Sequence, residues 1–188
     1  MYKLILSLLK VIFTGTVLIA VLSGCSVQHQ LLNRAGDLLS AETSSTDDDL
    51  ELLMHASAYQ LKLSESLLQE IPDHIKLAEA VTRGYTQYAF VFLMDEADRM
   101  ESESIQKANV LRVRAAKMLT RAKKVGLNSL DLHYPDLLDH LQGKAVKQAI
   151  KIKKQDAGLV YWSMTAWAGA ISLSKDSPDV VADLPEVL

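Results

Sequence analysis

Cysteine is nearly absent: the 188-residue chain has one, Cys25. A single thiol excludes an intramolecular disulfide and a thiolate metal cluster, so the fold must be held by packing. Proline occurs four times and glycine eight times. That is little punctuation for the many turns of a sandwich or barrel, and no Val/Ile/Thr-rich segment alternates with period two. Glycine-rich phosphate loops and nucleophile elbows are missing, so nothing points to an enzyme or a bound cofactor. Charge of one sign is also missing, with 20 basic against 23 acidic residues and a net charge of −3. A balance on the acidic side argues against nucleic acid as a partner.

What is present begins with a basic, apolar start. Lys3 and Lys10 flank an acid-free segment, Val11–Leu22 is mostly apolar, and Leu22-Ser23-Gly24-Cys25 follows. Residues 1–24 therefore read as a secretory signal peptide. The cysteine directly after Leu-Ser-Gly resembles a bacterial lipoprotein signal, which implies that Cys25 becomes the lipidated N-terminus. Several acyl chains together anchor stably where one would be marginal. Residue 26 is Ser rather than Asp, which resembles the pattern sorted to the outer membrane and implies a domain facing the periplasm. Cleavage removes Lys3 and Lys10 and no acid, leaving 18 basic and 23 acidic residues, a net −5.

The remainder reads as all-α. Residues 25–46 form an anchor and N-terminal segment, and 47–188 a single helical domain. Each proline is followed by an acid, as in Pro72-Asp73, Pro135-Asp136, Pro178-Asp179 and Pro185-Glu186, which favours a helix start. Helices are expected at about Gln28–Glu42, Leu50–Glu70, Asp73–Met100, Ile105–Val125, Pro135–Gln155 and Ala157–Ser174, and from Pro178. The acids Asp47, Asp48 and Asp49 lead into a cap, and Gly126 is expected to stop the fourth helix. Antiparallel hairpins joined by short loops suggest a stacked, tetratricopeptide-like superhelix.

Several residues stand out as candidates. Leu77, Val81, Tyr85, Tyr88 and Phe92 form one stripe, which core packing explains, but Tyr85 and Tyr88 carry hydroxyls that suit a cavity wall. Two basic stripes, Arg114/Lys117/Arg121/Lys124 and Lys144/Lys147/Lys151/Lys154, are spaced 3, 4 and 3. Solvated helix faces account for both; attraction of an acidic partner is the sharper alternative. His133, Asp136 and His140 could be drawn as metal ligands, but they lack a fourth, and a metal-dependent hydrolase is the weakest reading. Ala157–Ser174 is uncharged over 18 residues, the lower limit for a membrane span, yet its serines, threonine and glycines favour a buried helix. Trp162 and Trp167, five residues apart, point different ways on it. One is expected in the core and the other in a cavity shared with Tyr85 and Tyr88. Trp162 is preferred for the cavity, because it lies near the helix start, where free N–H groups could meet an acidic solute.

Four blocks in order carry a family likeness. They are Asp49-Leu50-Glu51-Leu52 through Leu61–Leu68 to Pro72-Asp73; Tyr85-Thr86-Gln87-Tyr88-Ala89 with Glu96-Ala97-Asp98; Arg114-Ala115 with Arg121-Ala122; and Tyr161-Trp162, Ala166-Trp167, Ile171–Asp176 and Ala182-Asp183-Leu184-Pro185. Over most of the mature chain the sequence resembles the T-component family of TRAP transporters. Two departures stand out: Ala56-Ser57-Ala58 lacks a proline associated with that turn, and further hairpins would be expected after Leu184-Pro185. An edge left uncovered would expose apolar surface around Trp162–Leu173.

The resemblance implies a lipid-anchored, outer-membrane, periplasm-facing accessory subunit that associates with the solute-binding subunit of a TRAP transporter. It implies uptake of small organic solutes, often acids, and homo-oligomers (trimers) with a cavity through the helical stack. Tyr85, Tyr88, Arg114, Trp162 and Trp167 are the candidates to line that cavity. The competing expectation is an envelope scaffold lipoprotein without a small-molecule ligand.

Overall fold

The structure, a computed structural model, describes residues 28–41, 48–141, 144 and 150–183. Within them the chain is all-helical. Helix α1 covers 28–40. It is followed by α2 (Leu50–Glu70), α3 (Ile75–Tyr88), a π-helical stretch (Ala89–Met94), α4 (Asp95–Glu101) and α5 (Ile105–His133). Then come a short α6 (Leu137–Leu141), a 3-10 turn (Lys154–Asp156), α7 (Ala157–Leu173) and the single turn α8 (Pro178–Val181). The signal peptide, Cys25 and Leu184–Leu188 lie outside the described residues.

Local chemistry sets most of these ends. Asp49 caps α2 by accepting from Leu52 N at 2.9 Å, the cap expected of an acid at that position. After Pro72 the chain makes a tight turn, and the His74 imidazole caps α3 by accepting from Leu77 N at 3.1 Å. The other ring nitrogen of His74 stands 3.5 Å from Asp37 on α1. One side chain thereby joins α1 to the turn between α2 and α3. α2 runs unbroken through Ala56-Ser57-Ala58, so no turn exists there for a proline to make.

The core lies among α3, α5 and α7, which pack on one another, with α2 covering α3. Leu77, Val81, Leu119, Leu130 and Leu159 are fully buried in it. The expected stripe of α3 is largely inside: Tyr85 and Tyr88 are buried, whereas Phe92 is half-buried against Tyr88, with ring centroids 5.0 Å apart. No described helix is long and apolar enough to cross a membrane.

Two sequence expectations are corrected. Gly126 does not end a helix; α5 continues past it to His133. The glycine instead marks the crossing of α5 with α7 and α3. A Cβ there would lie 2.0 Å from Ser163 Oγ and 3.1 Å from Thr82 Cγ2. Secondly, no long helix spans Pro135–Gln155. Asp136 adopts φ 72°, α6 ends at Leu141, and 150–153 are not helical. What fixes that segment is Tyr134, whose hydroxyl donates to the buried Asp156 carboxylate and accepts from Lys153 N at 3.0 Å. The stripe Lys144/Lys147/Lys151/Lys154 is therefore not one helix face; Lys147 lies outside the described residues.

Candidate functional site

Three of the four sequence blocks meet at one carboxylate. Glu65, on α2 and only 5% exposed, accepts from Arg121 of α5, bonded through Nε and through Nη2 at 2.7 Å. It also accepts from Tyr85 OH of α3 at 2.8 Å and from Lys62 at 2.6 Å. The Arg121 guanidinium lies 5.3 Å from the centre of the Tyr85 ring. A buried carboxylate survives only when its lone pairs are filled, and here four donors fill them. Burial works against the Glu65 charge, but hydrogen bonds from Arg121, Lys62 and Tyr85 outweigh it and hold the carboxyl below its ordinary range. Burial, and then the adjacent Glu65, push the Tyr85 phenol well up. Tyr85 is thus a neutral donor that ties α3 to α2. Sequence reasoning missed Glu65, because its partner lies 56 residues away.

Beside this cluster a cleft of about 320 Å³ opens between α2 and α3. Its walls include Ser57, Gln60 and Leu61 from α2, and Gly84, Gln87 and Tyr88 from α3. The mixture of aliphatic, aromatic and amide groups, with the Arg83 guanidinium among them, suits a small amphipathic molecule, and the volume lies within the usual range for ligand pockets. Gly84 brings the helices close at the base: a Cβ there would stand 2.9 Å from Leu61 Cδ1.

The fourth block makes a second cluster. Trp167 is 3% exposed. Its Nε1 donates to Asp183 Oδ2 at 3.0 Å, and Lys123 caps the ring at 3.9 Å while pairing with Asp183 at 2.6 Å. Burial opposes ionisation of Asp183, but Lys123 and Trp167 hold its carboxyl low. Trp167, Lys123, Leu138 and Asp183 also line a recess of about 400 Å³.

The sequence candidates are not all brought together. Tyr88 lines the α2–α3 cleft, and neither tryptophan is among its lining residues. Trp162 is half-buried and meets Tyr161 edge-on, with centroids 5.1 Å apart. Arg114 is exposed on α5. The start of α7, where an acidic solute was expected to meet free N–H groups, has the chain's own carboxylate beside it. A Cβ on Gly158 would fall 2.3 Å from Glu79 Oε1, and an anion there favours the helix dipole. Among the described residues no three His, Cys, Asp or Glu side chains gather to hold a metal ion, and His133 Nδ1 faces Ser129 O at 2.9 Å.

Recesses between packed helices, such as the α2–α3 cleft and the Trp167 recess, are places where a helical protein can take a ligand or a partner. Comparison with known proteins makes this specific. The family model for the TRAP transporter T-component matches residues 46–188, and the chain belongs to that family. A relative, an uncharacterised protein of Treponema pallidum (strain Nichols), is 27% identical over 161 residues, covering 79% of this chain and 50% of the relative. The chain spans about half the length of that relative.

Proposed function

We propose that this chain is the lipid-anchored accessory component of a TRAP-type uptake system, held at the outer membrane by Cys25 and facing the periplasm. In this role it docks on the periplasmic solute-binding subunit and holds a small organic molecule in the α2–α3 cleft. We further read its helical stack as tetratricopeptide-like. The family match over residues 46–188 supports the transport assignment. The observation that carries the ligand reading is the cleft itself, with Tyr88 and Gln87 on one wall and Gln60 and Ser57 on the other. Tyr88 is the sequence candidate that would touch the ligand there.

The ligand reading is tested by native mass spectrometry of protein purified from its own envelope. A retained small organic molecule is expected, and Ser57→Phe, which fills the cleft, should remove it. A wild-type protein that carries nothing, or a molecule that survives Ser57→Phe, would move the function away from this cleft.

A further inference from the structure

Helix α1 carries two leucine pairs, Leu31-Leu32 and Leu38-Leu39, seven residues apart. One member of each pair goes inward: Leu32 and Leu39 pack against the core. The other stays outside, with Leu31 60% and Leu38 78% exposed. At 100° per residue Leu31 and Leu38 stand about 20° apart, on a flank about 110° round from the packed face. Arg34 is exposed about 50° further round, at the outer edge of that strip. Two exposed leucines alone need no explanation. Their distance from the anchor point of the chain gives them one.

Only Ser26 and Val27 separate Cys25 from the start of α1 at Gln28. Fully extended, three residue steps reach about 10 Å. With Cys25 lipidated, the start of α1 stays beside the headgroup layer, and the whole helix is only about 20 Å long. It is also seated firmly on the domain. Gly36 is buried, and a Cβ on it would stand 2.9 Å from Ile71 Cδ1. Asp37 stands 3.5 Å from His74. Rolling α1 to hide Leu31 and Leu38 would break both contacts.

We propose that α1 lies on the phospholipid surface, with Leu31 and Leu38 inserted at the boundary between headgroups and acyl chains and Arg34 among the phosphates. The proposal rests on lipidation of Cys25. A helix in the interface plane buries its apolar side and keeps its polar side in water, and a basic residue at the edge meets anionic headgroups. Two leucines insert weakly by themselves; the short tether supplies the local concentration that makes the contact persist. α1 also contributes Leu39 and Ala41 to the cleft between α2 and α3. The helix that touches the membrane therefore walls the cleft, and lipid contact fixes how the cleft is presented instead of leaving the domain to swing on its anchor.

The test places a nitroxide at one introduced cysteine, from Leu31→Cys, Leu38→Cys or His29→Cys, in the full mature protein held in vesicles of phosphatidylethanolamine and phosphatidylglycerol. A lipidated Cys25 is a thioether and takes no label. His29 is exposed on the other side of α1, about 170° from the strip. Relative to the label at position 29, those at positions 31 and 38 should favour collision with oxygen, which concentrates in acyl chains, several-fold over a water-soluble nickel chelate. Leu31→Glu on the Leu38→Cys background should return the label at position 38 to water. Its thermal melt should be unchanged, because Leu31 is outside the core. Labels at positions 31 and 38 as open to the chelate as the one at 29 would overturn the proposal, and so would labels shielded from both reagents, as under a protein partner. A wild-type protein that takes up nitroxide at Cys25 and carries no acyl mass on its N-terminal peptide would instead overturn the anchor reading, and the proposal with it.

Discussion

Gly126 of α5 and Ser163 of α7 are in such close register that a single added carbon would overlap: a Cβ on Gly126 would stand 2.0 Å from Ser163 Oγ and 3.0 Å from Ser163 Cβ. Ser163 Oγ itself donates to Leu159 O at 2.6 Å. The two central helices approach as closely as they do because neither has bulk at this point.

Gly126→Ala should therefore destabilise the protein. Alanine gains about 1 kcal/mol of helix propensity, but the forced overlap costs about 1–3 kcal/mol, and rotating Ser163 away would break its bond to Leu159. The expected net loss is up to about 2 kcal/mol by chemical denaturation. Adding Ser163→Ala should recover part of it. A more stable Gly126→Ala would mean that the crossing has room to give.

The Glu65–Arg121 pair predicts both a mutational cost and a pH dependence. Removing one partner of a buried ion pair costs about 3–5 kcal/mol. Arg121 is about half exposed, so solvent screening reduces the expected cost of Arg121→Ala to about 2 kcal/mol. Because the folded Glu65 carboxyl titrates below its ordinary value of 4.5, the unfolded state binds more protons in that window. The stabilisation is complete above about pH 4.5 and is lost as pH falls through the lowered value. Melting temperature should drop on acidification over that range, and Glu65→Gln should flatten the drop. An acid limb unaltered in Glu65→Gln would assign the loss to other groups, with Asp183, also held low, the first to examine.

The tryptophans should separate. Trp167→Ala removes a buried ring and leaves Asp183 one donor short, for a cost of about 3–5 kcal/mol. Trp162 is half-buried, and its truncation should cost less than about 2 kcal/mol. Equal losses in denaturant titrations would show that both rings pack as core.

Much of this fold is legible in the sequence because its signals are local. The Asp49 cap, the turn at Pro72 and the uncharged run from Ala157 place α2, α3 and α7 within a few residues. The misreadings have non-local causes. Gly126 looks like a helix stop until Ser163 is seen beside it. Lys144–Lys154 has helical spacing, but Tyr134 and Asp156 tie its end into a non-helical path. Glu65 looks like any surface acid of a helix, since Arg121 and Tyr85 come from two other helices. The cleft was half-legible: Tyr88 stood out as an aromatic hydroxyl on an apolar stripe, whereas Gln60 and Ser57 carry no pattern.

The anchor has its own check. Cys25→Ala should block lipidation and leave the protein unprocessed or free of the outer membrane in fractionated cells. Mature protein that still fractionates with the outer membrane would contradict lipid anchoring through Cys25.

The most direct test of the transport assignment is capture of the lipidated protein from its own envelope, followed by identification of what comes with it. The account predicts that the periplasmic solute-binding subunit of a TRAP transporter co-purifies in stoichiometric amount. Capture of intact, folded protein without any such subunit, under conditions that preserve known envelope complexes, would contradict it.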